Sequence, residues 1–501
     1  MTNPPHFDVP ALPSNAAPRG HPRGLYTLFF TEMWERLSYY GMRALLVLFM
    51  VAEVRKGGLG FDDKLAAAIY GLYTAGVYLA ALPGGWIADR LLGAQRAVWL
   101  GGSIIALGHF TLAIPRMESF FLGLVLIVIG TGLLKPNISA LVGQLYPEGG
   151  ARRDAGFTIF YMGINLGALL GPLLCSWLGE RINWHYGFVA AGVGMLLGLV
   201  QFGFTRHHLG EAGRTPGHKT QTARRDWMLV IAALAILFIV VALAMTRVLV
   251  LNPLWLAKGA AFVIAGLAVA YFGWVFTLGQ LDVTEKKRVA VIAILFVTSA
   301  LFWAGYEQAG SSLNLFAERH TTRVIDGLNL KLPAGWFQSV PALFVILFAP
   351  VVAGVWVSLA RRGLAPSLPA KFAWGLMLLA VGFLVVALGS KRALNSGPVW
   401  PTWLIATYLF HVLGELLVSP VGLSSVTKLA PPRLVGQMMG IWFLGSSLGN
   451  LLAGLFAGEV SGANAASMPA GFAQVALFTG CAGLVLLLFT KPIRRLMSGV
   501  N

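Results

Sequence analysis

Residues 29–46, FFTEMWERLSYYGMRALL, carry acids, arginines and tyrosines inside a largely apolar stretch. The six residues are spaced i, i+3, i+4, i+7, i+8 and i+11, which is one stripe on an α-helix: Glu32, Glu35, Arg36, Tyr39, Tyr40 and Arg43. An ionised side chain in a bilayer costs several kcal/mol, roughly 2.5–3.5 on insertion scales, unless it faces a polar cavity or a partner. The stretch therefore predicts a membrane-spanning helix that lines a cavity.

The rest of the chain has the composition of a membrane protein. Of 501 residues, 57% are hydrophobic and 11% are charged, whereas a soluble domain carries about 25% charged residues. Fourteen apolar stretches are long enough to cross a bilayer: 25–52, 65–88, 96–115, 119–145, 155–178, 186–205, 227–246, 254–278, 289–316, 335–360, 370–390, 399–427, 433–458 and 470–490. The sequence therefore predicts an all-α polytopic membrane protein with fourteen transmembrane helices.

The net charge of +17 is explained by membrane topology and does not indicate a nucleic-acid partner. Lys and Arg concentrate in the loops on one side, as the positive-inside rule expects when the N-terminus is cytoplasmic. An even number of spans then places both termini in the cytoplasm. Residues 1–23 have no apolar core, so no cleavable signal is expected. Cys175 and Cys481 lie in apolar spans and are expected to pack rather than to form a disulfide.

The spacing of polar loops divides the chain into two halves. Residues 206–226 are polar and basic and read as a linker, and 227–278 form an accessory transmembrane hairpin. The predicted division is a cytoplasmic tail at 1–24, a six-helix bundle at 25–205, the linker, the hairpin, a second six-helix bundle at 279–490 and a cytoplasmic tail at 491–501.

The buried charges recur with a period of three spans. Among the twelve spans of the two halves, charges fall on spans 1, 4, 7 and 10, where the last three contribute Lys135, Glu307 and Glu415. Equivalent helices of both halves therefore line one central cavity, which is the layout of a carrier with a midplane binding site. His411 lies one turn before Glu415 and is expected to pack.

Three motifs resemble those of the proton-dependent oligopeptide transporter family of the major facilitator superfamily. The span 1 motif E-x-x-E-R-x-x-Y-Y begins at Glu32, the segment FYMGINLG contains Tyr161 and Asn165, and GGWIADRLLG joins spans 2 and 3. The resemblance covers nearly the whole chain and implies the major facilitator fold. One departure is Pro341 in WFQSVPALF, where the family commonly has an asparagine that helps to hold the peptide amine.

The resemblance implies roles for individual residues. Arg36 and Lys135 are expected to bind the peptide carboxylate, and Glu415 and Asn165 the peptide amine. Pocket-lining positions of the family match Tyr39, Tyr40, Tyr78, Trp303, Ser419 and Trp442, and Tyr161, one turn before Asn165, is expected to face the cavity with it. Glu32, Glu35 and Arg36 are expected to couple protons, together with an extracellular gate pair, Arg43 and Glu307. Lys135 with Glu415 or Glu35 is expected to close the cytoplasmic side.

The sequence thus predicts proton-coupled symport of di- and tripeptides across the bacterial inner membrane by a functional monomer. No cofactor or metal is expected, and the expected partners are short peptides, protons and membrane lipid. A drug/proton antiporter would need cavity acids but leaves the cations unexplained. A carrier of nitrate or another small anion would use the cations but leaves Glu415 without a role. A proton-coupled carrier of another zwitterion is a further alternative. A membrane enzyme is disfavoured because the chain has no HExxH motif and no nucleophile triad.

Overall fold

The computed structural model describes residues 20–148, 150–216, 222–325, 330–461 and 465–498. Most of the predicted N-terminal tail lies outside these residues, as do parts of the predicted linker and C-terminal tail. The division of the chain into segments with those boundaries stays a prediction.

Fourteen long helices run through the described residues, one at each predicted span, and the predicted fold class is confirmed. The long helices are α1 Arg23–Val51, α2 Asp63–Ile87, α3 Ala94–Leu112, α4 Met117–Gln144, α5 Gly150–Arg181, α6 Trp184–Thr205, α7 Ala223–Met245, α8 Pro253–Leu278, α9 Val283–Tyr306, α11 Val340–Arg361, α12 Leu368–Ser396, α13 Thr402–Leu429, α14 Val435–Ser461 and α15 Met468–Leu488. The described residues also form two short helices, α10 Ser312–His320 and α16 Thr490–Leu496, and a two-stranded pair, β1 Val324–Ile325 and β2 Leu330–Lys331.

One predicted span is broken. The stretch 289–316 was expected to form one continuous helix, but α9 ends at Tyr306, a 3₁₀ turn covers Glu307–Gly310, and α10 starts at Ser312. A Cβ on Gly310 would meet the Tyr70 hydroxyl at 2.1 Å, so glycine is needed for this close approach. The break places Glu307 at the C-terminal end of α9, and Tyr70 donates a hydrogen bond to the Glu307 carbonyl at 3.3 Å.

The helices of the first bundle approach one another closely through small residues. α1 packs along α5, and a Cβ on Gly171 of α5 would meet the Leu37 carbonyl of α1 at 2.3 Å. Such contacts between small residues bring membrane helices close together. The tight packing fixes the stripe of α1 relative to the rest of the bundle.

The accessory hairpin is attached unevenly. In α7 the buried residue is Asp226, whose carboxylate lies 3.6 Å from the guanidinium of Arg90 in the turn that follows α2. By contrast, small side chains of α8, including Ala257 and Ala268, form one cluster with α2 of the first bundle and α14 of the second. Helix α8 therefore lies over the seam between α2 and α14.

The bundles are fastened together at the end where α1 ends and α2 begins. We call this group of contacts the clasp. Its ion pairs are Arg43–Glu307 at 2.8 Å, Asp63–Arg319 at 2.7 Å, Lys64–Glu459 at 3.0 Å and Glu180–Arg323 at 3.5 Å. Every pair joins a residue of α1, α2 or α5 to a residue of the second half.

Candidate functional site

The stripe on α1 is buried and forms its own ion cluster. Arg36 is 3% exposed and lies between two acids, with its Nε 3.1 Å from Glu32 Oε1 and also in contact with Glu35. Its guanidinium lies 5.2 Å from the centre of the Tyr39 ring. Among the described residues Arg36 Nη2 has no hydrogen-bond partner, so one arm of this cation is available to an anionic ligand.

Lys135 lies near this cluster on α4. Its Nζ is 4.0 Å from the centre of the Tyr78 ring, a cation–π contact, and Arg36, Glu35 and Glu32 are close enough to act on it electrostatically. The described part of the chain contains no ion pair of Lys135 with Glu35 or Glu415, so the predicted closure of that side stays a prediction. Helix α4 continues through Pro136, and Asn137 donates to the Leu133 carbonyl at 2.7 Å.

Arg43 and Glu307, predicted to pair, lie in contact across the two bundles. Arg43 Nη2 is 2.8 Å from Glu307 Oε2, and both side chains are 7% exposed. The rings of Tyr40 and Tyr70 flank the guanidinium, with centres 5.5 and 5.7 Å away. Because a buried charge depends strongly on its partner, neutralising Glu307 would leave Arg43 unpaired in this site.

Glu415 has a partner that sequence reasoning missed. The Tyr306 hydroxyl on α9 donates a hydrogen bond to Glu415 Oε2 on α13. Tyr306 follows Trp303 by three residues, so the two rings lie on one face of α9, with their centres 5.4 Å apart. The i, i+3 spacing of Trp303 and Tyr306, and the position of Tyr306 directly before Glu307, could have identified Tyr306 as a residue of the site. His411, expected to pack, is buried 4.8 Å from the Phe383 ring centre.

The remaining predicted residues differ in their surroundings. Asn165 is buried and its amide donates to the Tyr161 carbonyl at 2.9 Å, while the exposed Tyr161 side chain is within electrostatic reach of Glu415. Trp303 Nε1 has no partner in the described part of the chain. Ser419 is half-buried on α13, and Trp442 is buried on α14, 6.3 Å from the Phe372 ring centre.

Pro341, the departure from the family pattern, lies in the first turn of α11. A proline in the first helical turn removes an N–H that has no intrahelical partner. Pro341 is therefore compatible with the start of this helix.

The clasp contains a partly buried acid that the sequence did not single out. Glu180, at the end of α5, accepts hydrogen bonds from the backbone N–H groups of Ala334 and Gly335 at 2.7 and 2.8 Å. These groups begin the 3₁₀ turn that leads into α11, where an anion is favourable. Glu180 thus joins the first bundle to the second independently of Arg43.

We expect Glu180→Gln to loosen the clasp. Hydrogen bonds to a charged group contribute about 1.5–3 kcal/mol, so the closed population should fall about tenfold or more relative to the open one. Spin labels at Val54 and Trp400, both exposed at this end, would report the change as longer distances in a protein whose Cys481 is replaced by serine. Glu459→Gln is the control, because its pair with Lys64 is exposed and exposed pairs contribute only about 0–1 kcal/mol. Equal distance distributions for the two variants would contradict the role of Glu180.

Comparison with known proteins gives a consistent result. A family model described as "POT family" matches residues 95–471. The chain is 44% identical over 496 residues to a peptide transporter of Yersinia enterocolitica, with 96% of each chain covered. It is 37% identical over 493 residues to a di-/tripeptide transporter of Lactococcus lactis, covering 96% of this chain and 98% of the other. A crystal structure of a mutant peptide transporter POT in complex with alafosfalin is 42% identical, with a TM-score of 0.88 and 97% of each chain covered.

Proposed function

The chain belongs to the POT family, and from this premise we propose that it imports di- and tripeptides together with protons. It is a carrier and not an enzyme. The observation that supports this best is the separation of charge in the site: Arg36 and Lys135 belong to the first bundle, and Glu415 belongs to the second. A zwitterionic peptide matches both ends of that arrangement.

We place the peptide carboxylate at Arg36 and Lys135. Arg36 has a donor that is not used within the described residues, and the Lys135 ammonium lies against the Tyr78 ring with no ion-pair partner in the described part of the chain. The peptide amine faces Glu415, with Asn165 beside it, and Tyr39, Tyr40, Tyr78, Tyr161, Trp303, Ser419 and Trp442 line the space between. A ligand that contacts both bundles favours their closure around it.

We assign the proton-coupling step to Glu32 and Glu35 beside Arg36, and to Glu307 beside Arg43. Each acid is buried against an arginine. Protonation of the acid removes the charge that pairs with that arginine, and a buried arginine without a partner is energetically costly. Release of the Arg43–Glu307 pair would weaken the clasp and allow the outer side to open.

We propose the bacterial inner membrane as the location, with both termini cytoplasmic and the clasp at the periplasmic side. Arg152, Arg224 and Arg361 then lie at the cytoplasmic ends of α5, α7 and α11, in agreement with the positive-inside rule. The protein acts as a monomer in contact with membrane lipid, and no cofactor is assigned because the proton gradient drives transport.

Uptake of labelled dialanine into proteoliposomes tests the proposed function. Dialanine should accumulate when the outside is more acidic than the inside, and a protonophore should abolish this accumulation. Liposomes without a gradient should only equilibrate the label. Equal uptake with and without the gradient would contradict proton coupling.

A second prediction concerns the amine end. We expect N-acetyl-dialanine to compete poorly with dialanine in the wild-type protein, because it lacks the ammonium group that Glu415 receives. A hydrogen bond to a charged group contributes about 1.5–3 kcal/mol, which corresponds to a preference of about tenfold or more. Glu415→Gln should largely remove this preference, as measured by competition for dialanine uptake. Glu318→Gln, an exposed acid outside the site, is the control. A preference that persists in Glu415→Gln would mean that another group receives the amine.

A further inference from the structure

A basic groove lies outside the central site, where α3 begins and α6 ends. Its volume is about 660 Å³, and its lining includes Arg96, Trp99, Arg206, His207 and Arg214. The groove is held in shape by hydrogen bonds between α3 and the segment that follows α6. Gln95 Nε2 donates to the Ala212 carbonyl at 2.8 Å, and the Gln95 backbone N–H donates to Gly213 at 3.0 Å.

The charges in this groove are not balanced by acids. Arg214 pairs with Glu211 at 2.6 Å. Arg96 and Arg206 are exposed, and within the described ranges neither has an acidic partner. Three arginines thus face one glutamate, and the groove attracts an anion. Guanidinium groups are well suited to phosphate because they donate two parallel hydrogen bonds.

The floor and the surface beyond the groove are apolar. The rings of Trp99 and Phe202 pack with their centres 6.2 Å apart. From there, exposed apolar side chains continue along α3 and α6 toward the middle of the bundle: Trp99, Leu100, Leu107, Leu196 and Val200. A basic pocket at the head of an exposed apolar strip is complementary to a molecule with an anionic head and an acyl tail.

We propose that this groove binds an anionic phospholipid of the inner leaflet. Its phosphate contacts Arg96 and Arg206, and one acyl chain lies along Trp99 and Leu100. The proposal rests on the topology given above, because that topology places the groove at the cytoplasmic surface of the membrane. It does not depend on which solute is carried.

Fluorescence quenching by brominated lipid tests the proposal on the full-length chain. The signal of Trp99 is obtained as the difference between the wild-type protein and Trp99→Phe in phosphatidylcholine vesicles. Brominated phosphatidylglycerol should quench this signal at lower mole fraction than brominated phosphatidylcholine. Each basic residue near the surface favours anionic lipid by about fivefold, so Arg96→Gln/Arg206→Gln should lower the relative association constant for phosphatidylglycerol by about twenty-five-fold.

Two further variants make the result specific. Arg96→Lys/Arg206→Lys keeps the charge and should keep much of the selection. Arg361→Gln/Arg362→Gln removes the same charge from another loop and should leave quenching of Trp99 unchanged. The proposal is overturned if the two lipids quench Trp99 equally, or if the two glutamine double variants behave alike. Inorganic phosphate that removes the selection at constant ionic strength would also overturn it, because the site would then bind free anions.

Discussion

Glu35→Gln should abolish accumulation of dialanine driven by a pH gradient. A gradient of one pH unit corresponds to about 1.4 kcal/mol per proton, which drives about tenfold accumulation when one proton is coupled. Glu35 is fully buried against Arg36. A glutamine amide at this position cannot bind and release a proton as the carboxylate does. The variant should therefore bring the internal concentration only to the external one, as measured by uptake of labelled peptide into proteoliposomes.

Counterflow provides the internal control for this variant. Exchange of labelled for unlabelled peptide requires only that the loaded carrier reorients, so it should remain in part. Glu53→Gln, an exposed acid that pairs with Lys56 at 3.0 Å, should behave as the wild type in both assays. Normal acid-driven accumulation by Glu35→Gln would remove Glu35 from the coupling mechanism.

Glu307→Gln should shift the protein strongly toward the form in which the clasp is open. Arg43 is 5% exposed, and removing one partner of a buried ion pair costs about 3–5 kcal/mol. Conformations in which water reaches Arg43 avoid this cost. The distance between spin labels at Val54 and Trp400 should lengthen in most molecules, which pulsed electron–electron double resonance measures directly.

Glu318→Gln is the matched control for that experiment. Glu318 lies 3.5 Å from Arg319 in an exposed pair, so its loss should change the distance distribution little. An unchanged distribution in Glu307→Gln would show that the pair with Arg43 does not hold the clasp closed.

The fold was predictable because the signals for it are local. Length and apolar composition located each membrane helix, and the spacing from Glu32 to Arg43 placed the stripe of α1 on one face. The break after Tyr306 was not predicted, because the apolar residues on both sides of the polar segment 307–312, EQAGSS, were taken as one span. Tyr70, which contacts the break, is a residue far away in the sequence.

The same limit applies to the site. Charged residues inside apolar spans are conspicuous in a sequence. Glu307 and Glu415 were therefore predicted as site residues as soon as the spans that contain them were located. Tyr306 and Glu180 did not stand out, since a tyrosine in a span and an acid at a helix end are both common. Their importance comes from the partners that tertiary packing gives them, namely Glu415 and the backbone at Ala334.

The position of α8 over the seam between the bundles has a mechanical consequence. Alanines and larger apolar side chains are mixed at this contact: one cluster contains Ala68 and Ala75 of α2, Ala257, Ile264 and Ala268 of α8, and Ile441 and Leu448 of α14. Packed helices can slide past one another by small amounts in a shear motion. Helix α8 would then slide over the interface of α2 and α14. It would keep this interface covered from lipid while the two halves rotate relative to each other.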